Sequence, residues 1–203
     1  MQASPLLVLV RHGQSTWNKE NRFTGWVDVG LSEEGIHECR RAAAKLRGRA
    51  FDVAFTSHLA RAEQSLKLIL EGLNLAHIPV VRDAALNERH YGDLQGMNKD
   101  EARAKWGKEQ VEKWRRGFHD RPPAGESLAD TCRRVLPFFK TAIVPALAEG
   151  KHTLVVAHGN SLRALAMELD TLSEEEVPHF EIPFGTPLFY AFQDGACRRH
   201  TVV

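Results

Sequence analysis

Two short, unbroken apolar runs, residues 6–10 and 153–157, each end on a His-Gly pair: Arg11-His12-Gly13 after the first, His158-Gly159 after the second. Apolar runs of this length without alternation, closed by a turn signal, predict strands buried on both faces. Elsewhere the apolar positions recur at helical spacing. Residues 31–46 carry Ile36, Cys39, Ala43 and Leu46 on one face, with Ser32 as N-cap and Glu33 and Glu34 in the first turn. Gly35 stands where a capping box would place Glu, so that helix start is imperfect. A second strand is predicted at 51–55, a helix at 59–73 and a short third strand at 79–81. Residues 98–118 predict a polar helix, opened by an Asn98–Glu101 capping box and carrying one apolar stripe, Val111, Trp114 and Phe118. A further helix over 126–147 is bent or interrupted by Pro137 and Pro145. After the second His-Gly strand a helix spans 161–169, Ser173 with Glu176 caps a short one, and strands at 188–192 and 198–203 end the chain.

Strands alternating with helices predict an α/β fold, a three-layer α/β/α sandwich around a parallel sheet. At 203 residues, 43% of them hydrophobic, the chain can bury one well-packed core. No repeat, linker or low-complexity tract divides it, so 1–203 is expected to be a single domain, with about 98–125 as a helical insert able to act as a lid. Charge is nearly balanced, 27 Lys+Arg against 26 Asp+Glu, which argues against a nucleic-acid partner. No apolar run approaches a membrane span and the first residues lack a signal-peptide pattern, so no membrane association is expected. The three cysteines, Cys39, Cys132 and Cys197, share no metal-ligand spacing and suit a reducing compartment; the expected location is cytoplasmic.

The chemistry collects where strands end. In open α/β sheets ligands bind outside the carboxyl ends of the strands. Arg11, His12, Asn18 and Thr24-Gly25 follow the first strand, Arg61 the second, Glu88, Arg89 and Tyr91 the third, and His158 and Asn160 the fourth. Arginines match phosphate oxygens bidentately, and a helix starting near Asn160-Ser161 offers free N–H groups to an anion. The combination predicts a phosphate pocket. It lacks a GxxxxGK[ST] loop and carboxylates at metal spacing, so neither nucleotide nor metal is expected. A histidine in such a pocket suggests covalent phosphoryl transfer, with neutral imidazole attacking phosphorus and its far nitrogen held by a backbone carbonyl. Neighbouring guanidiniums disfavour imidazolium and stabilise charge on the transferring group. Glu88 is the carboxylate best placed to move the proton, and a bound dianion would raise its pKa. Plainer readings stand beside these: Arg61 as a surface helix residue, Glu88–Arg89 as a loop ion pair, Trp114-Arg115-Arg116 as a solvated helix end.

The motifs Leu7-Val8-Leu9-Val10-Arg11-His12-Gly13, Trp17 through Trp26, Leu86-Asn87-Glu88-Arg89-His90-Tyr91-Gly92, Trp114-Arg115-Arg116-Gly117 and Ala157-His158-Gly159-Asn160-Ser161-Leu162-Arg163 together resemble the cofactor-dependent phosphoglycerate mutases of the histidine phosphatase superfamily, across nearly the whole chain. The Arg-His-Gly triplet alone is shared with phosphatases; the full set is far more specific. The resemblance implies a mostly parallel sheet with an antiparallel strand near the C-terminus. It implies interconversion of 3- and 2-phosphoglycerate without metal, primed by 2,3-bisphosphoglycerate. His12 would accept the phosphoryl group and Glu88 serve as general acid and base. Arg11, Arg61, Asn18 and His158 would hold the transferring group. Thr24, Gly25, Tyr91, Lys99, Arg115 and Arg116 would bind the rest of the substrate, with Asn160 in support. A small-molecule partner follows, and a homodimer is the expected assembly. A histidine-dependent phosphomonoester phosphatase is the alternative, and a non-catalytic relative is disfavoured because every chemical position is filled.

Departures from the family pattern set further expectations. Pro122-Pro123-Ala124-Gly125-Glu126-Ser127 joins two motifs that other members separate by a longer segment, and the sequence stops at Thr201-Val202-Val203 where they carry a tail that helps close the site. Shielding of the phospho-enzyme would then fall to residues 98–118 and 122–125, expected to be less ordered than the sheet without ligand. Imperfect shielding would give a minor bisphosphoglycerate phosphatase activity. Gln14 replaces a more usual Glu at a position not expected to touch substrate.

Overall fold

In the computed structural model, which describes residues 4–200, six strands form one sheet: β1 (Leu6–Arg11), β2 (Val53–Thr56), β3 (Val80–Arg82), β4 (Thr153–Ala157), β5 (Pro187–Gln193) and β6 (Ala196–Arg199). Their order is β3-β2-β4-β1-β5-β6. β3, β2, β4 and β1 are mutually parallel; β5 runs antiparallel to both β1 and β6, so it is the single reversed strand. Both apolar runs of the sequence lie at the centre as neighbours, which is why neither alternates. Their successive side chains serve opposite faces. Leu7 and Leu9 pack with helices α6 (Leu128–Phe138), α7 (Val144–Ala148) and α8 (Gly159–Leu169), whereas Val8 and Val10 pack with α2 (Glu33–Lys45) and α3 (Ala60–Gly72). The architecture is the expected three-layer sandwich. The predicted last strand is shorter than expected: it ends at Arg199, and residues 201–203 lie outside the described part.

Local differences have local causes. The predicted helix 98–118 is two helices, α4 (Lys99–Trp106) and α5 (Lys108–Arg116), because Gly107 sits at φ +84°, a left-handed conformation that breaks the ladder. Asn98 caps the first through Asp100 N and Glu101 N, as its spacing predicts. Of the predicted stripe, Val111 and Trp114 join a satellite cluster with Phe23, Leu94 and Ala102, whereas Phe118 packs on the main core. The helix predicted over 126–147 is continuous in path but changes pitch. α6 runs through Pro137, the next turn (Phe139–Ile143) is π-helical, and α7 restarts with Pro145 in its first turn. Proline removes one i→i−4 bond, and the widened turn absorbs that loss. The short helix expected after Ser173 is a 3-10 turn, Val177–His179, although Ser173 and Glu176 do exchange the two bonds of a capping box. One element was not anticipated, the single helical turn α1 (Thr16–Lys19), capped reciprocally by Ser15 and Asn18.

Gly35 now has a physical reason. A Cβ there would lie 2.1 Å from Gln14 O, and one on Gly13 would lie 2.3 Å from Gly35 O. The first turn of α2 presses backbone to backbone on the loop after β1, which excludes the capping-box Glu; Ser32 still caps Gly35 N. Gln14 accepts from Ser32 Oγ through Oε1, 2.9 Å.

The loop after β3 is held from behind by Arg134 of α6. Its guanidinium donates to the carbonyls of Ala85 (2.7 Å), Asn87 (2.9 Å) and Glu88 (2.9 Å) and pairs with Glu126 at 2.9 Å. Trp26 Nε1 donates to the same Glu88 carbonyl at 2.5 Å. These bonds replace a sheet ladder that an irregular loop lacks. Arg134→Ala strips the Ala85 and Asn87 carbonyls of their side-chain donor and leaves Glu88 O only Trp26, and a loss of about 2–3 kcal/mol is expected in urea unfolding. A loss below about 0.5 kcal/mol would mean that the loop holds itself.

Candidate active site

The register of the parallel strands builds the site. Arg11 pairs with Ala157 and Thr56 with Val156, so the residues that follow, His12, His158 and Ser57, emerge together at the carboxyl edge of β1, β4 and β2. The two histidine rings lie 4.8 Å apart, tilted by 59°. Of the thirteen residues singled out from the sequence, all but His158 line one polar cavity. His158 stands behind His12, fully buried. Gln14 is not on the wall.

His12 Nδ1–H donates to its neighbour's carbonyl, Gly13 O, at 2.6 Å. That bond fixes the tautomer and leaves Nε2 with a free lone pair. Burial, then the positive charges of Arg61 and Arg11, holds its pKa well below 6.5, so the ring is neutral at physiological pH. His158 is depressed for the same reasons, burial first and Arg61 next. Arg61, the second residue of α3, is not a surface residue at all. It is 1% exposed and donates to Gly25 O (2.7 Å) and Val27 O (3.2 Å), and burial pulls its pKa down to about 10. Arg11 donates to Ile182 O at 2.9 Å and lies 3.9 Å from the centre of the Phe184 ring.

Glu88 and Arg89 do not form the loop ion pair. Glu88 Oε1 accepts instead from Arg89 N (2.9 Å), Asn160 N (3.0 Å) and Asn160 Nδ2 (3.0 Å). Burial works to raise this carboxyl, but those backbone donors and the charges of Arg11 and Arg61 outweigh it and hold it below its ordinary value. The Arg89 guanidinium turns the other way, to Tyr91 Oη (3.2 Å) and the Arg115 carbonyl, tying α5 to the Glu88 loop. Lys99, at the start of α4, and Arg115 and Arg116, at the end of α5, close the far wall. The last two are therefore not a purely solvated helix end. Arg115 pairs with Glu112 at 2.7 Å, and Arg116 with Glu181 at 2.8 Å. Asn18 and Thr24-Gly25 complete the near wall.

Some wall residues escaped the sequence reading. Arg163 lies one helical turn beyond Gly159 on α8, donates to Phe180 O at 2.9 Å and lines the cavity; i,i+4 spacing from Gly159 was the available signal. Arg22 lies between Asn18 and Thr24 and shares their segment after β1, a signal that was available; Glu181 carries none, since long-range folding alone brings it here. Ser57 was missed although it follows its strand as His12 and His158 follow theirs. Several buried polar atoms have no partner among the described residues: Arg11 Nε, Arg89 Nε and Nη1, Thr24 Oγ1 and His158 Nδ1. All five are unspent donors or can donate, and Arg11 and Thr24 line the cavity that arginines wall. An anion with several oxygens suits that need. Among the described residues no group of three His, Cys, Asp or Glu side chains could hold a metal ion.

A curated relative from Beijerinckia indica, named 2,3-bisphosphoglycerate-dependent phosphoglycerate mutase, is 57% identical over 187 residues, 91% of this chain and 90% of its own length. Among solved structures, Bacillus stearothermophilus YhfR superposes with a TM-score of 0.86 at 26% identity, covering 97% of this chain and 95% of that one. A mycobacterial glucosyl-3-phosphoglycerate phosphatase gives 0.82 at 26% identity, covering 98% and 97%. The family model for the histidine phosphatase superfamily, branch 1, matches residues 7–200, and the chain belongs to that superfamily.

Proposed function

We propose that this protein is a phosphoglycerate mutase that interconverts 3- and 2-phosphoglycerate through a phosphohistidine on His12. One observation carries the reading: a single cavity is lined both by His12, Arg11 and Arg61 from the strand edge and by a second set of cations, Lys99, Arg115 and Arg116, from α4 and α5. Phosphoester cleavage alone needs only the first set. A substrate bearing a phosphate and a carboxylate uses both. The name carried by the 57% identical relative points the same way.

In the half that loads the histidine, His12 Nε2 attacks one phosphorus of 2,3-bisphosphoglycerate, and the bond from that phosphorus to the glycerate oxygen breaks, leaving a monophosphoglycerate. Glu88 gives the leaving oxygen its proton. In the second half, Glu88 takes the proton of the accepting hydroxyl as that oxygen attacks phosphohistidine, and His12 is released neutral. Glu88 is held low in the structure, and the negative charge of a bound phosphate raises it toward this exchange. Arg11 and Arg61 stabilise the equatorial oxygens, while Lys99, Arg115 and Arg116 grip the carboxylate. The unspent donors of Arg11 and Thr24 fit a ligand of this kind. 2,3-Bisphosphoglycerate supplies the phosphoryl group that primes His12, and the same two sets would hold it. Residues 98–125 act as the lid over this exchange. The reading routes no step through a metal, and it assigns the protein to the cytoplasm as a homodimer. Among the described residues no helix is long and apolar enough to cross a membrane.

A coupled assay with 3-phosphoglycerate and catalytic 2,3-bisphosphoglycerate is expected to yield 2-phosphoglycerate, with activity unchanged by chelator. Release of inorganic phosphate without 2-phosphoglycerate would select the phosphatase reading. Arg116→Ala is expected to raise KM about 10- to 100-fold, the loss of one charge-assisted contact, while His12 still becomes phosphorylated. An unchanged KM would remove Arg116 from the binding wall. His12 is neutral well below 6.5, so its phosphorylation rate should show no inflection near that value between about pH 5.5 and about pH 8. The same depressed pKa makes its stability contribution complete above about 6.5 and lost progressively as pH falls. A rate that halves near pH 6.5 would show an ordinary, solvated imidazole.

A further inference from the structure

We propose that Ser57 is a positioning residue that fixes the proton of His158 on Nδ1, presenting that ring to the site as a neutral Nδ1–H donor. Ser57 Oγ and His158 Nε2 lie 2.7 Å apart, and both residues are wholly buried. A hydroxyl has one proton to give. The Oγ already accepts from Leu59 N at 3.2 Å, and among the described residues His158 Nε2 is the only acceptor that proton can reach. Nε2 is therefore the acceptor, and the neutral ring carries its proton on Nδ1. The opposite tautomer would strand the buried Ser57 proton and leave Nδ1 an unused acceptor as well. Double protonation is opposed by burial and by Arg61.

The consequence lies at His12. His158 Nδ1 is buried without a partner among the described residues, in a ring 4.8 Å from the His12 ring. As an N–H it can donate to an anion held at His12; as a bare nitrogen it would repel one. That use of the donor rests on the phosphoryl-transfer reading above, whereas the tautomer does not. The strand order makes the pairing possible. β2 and β4 are neighbours with Thr56 level with Val156, so the residues just beyond them can meet.

Long-range proton–nitrogen correlation spectra of the full-length protein labelled with 15N-histidine decide the tautomer without substrate, with His158 assigned by its loss in His158→Asn. The expected wild-type pattern has Nδ1 protonated and Nε2 not. A proton on Nε2 would overturn the proposal whatever the variants do. In Ser57→Ala the proton should move toward Nε2. Phosphorylation of His12 by labelled 2,3-bisphosphoglycerate should slow about 10- to 100-fold, with KM for 3-phosphoglycerate changed less than about threefold. Ser57→Thr, which keeps the hydroxyl, should restore both the tautomer and most of the rate. An unchanged tautomer and rate in Ser57→Ala would refute the role, as would a slow rate in Ser57→Thr with the wild-type tautomer intact. Loss of mutase turnover with the expected tautomer present would count against the functional reading and not against Ser57.

Discussion

The parallel pairing of β1 with β4 is the constraint from which the rest follows. With Arg11 level with Ala157, the chain cannot leave the two strands without bringing His12 and His158 to one edge of the sheet. His12 N donates to Ala157 O at 2.9 Å, extending the ladder to the reactive residue itself. A one-residue slip would turn Leu7 and Leu9 onto the α2–α3 face, so the two apolar clusters lock the same register that places the chemistry. Core and site are specified together.

Around that edge the fold gathers an excess of buried positive charge, and the way it is held bears on what it can do. Arg11 donates to Ile182 O, Arg61 to Gly25 O and Val27 O, and Arg163 to Phe180 O. Backbone carbonyls orient these guanidiniums, and of the three Arg163 also meets a carboxylate, Glu181 at 3.8 Å; among the described residues Glu88 is the one buried carboxylate. Full ion pairs would have been easier to bury but would leave little field for a ligand. Burial, and after it this positive charge, depresses the neighbouring histidines, while burial pulls Arg61 itself down. The site thus combines neutral histidines with a strongly cationic wall, two properties that a solvated cluster of the same residues could not hold at once.

The far wall follows a different rule. α4 and α5 rest on a small cluster of their own, joined to the loop after β1 by Phe23 N donating to Met97 O at 3.0 Å and Lys99 N to Asn21 O at 2.8 Å. Their cations are partly paired, Arg115 with Glu112 and Arg116 with Glu181. Glu181 also lines the cavity, so a carboxylate of the chain already sits on one of its cations.

The sequence by itself determined what is short-range or repeated. Unbroken apolar runs gave β1 and β4, helical spacing gave α2 and α3, and the Asn98 cap gave the start of α4, because burial on both faces, periodicity and capping are properties of adjacent residues. Most wall residues were legible too, since strand-end loops must open on one edge of a parallel sheet. What only the tertiary structure decided depends on contacts across the chain. Gly35 is required by a backbone approach from Gln14, Arg134 spans from α6 to hold the Glu88 loop, and Arg89 turns to α5 rather than to its neighbour Glu88. Glu181 reaches the cavity from the loop after the 3-10 turn, and Ser57 meets His158 across a hundred and one residues. The spacing of residues along a chain says which way a side chain leaves its element; which partner it finds there is settled by the packing of elements that have no proximity in sequence.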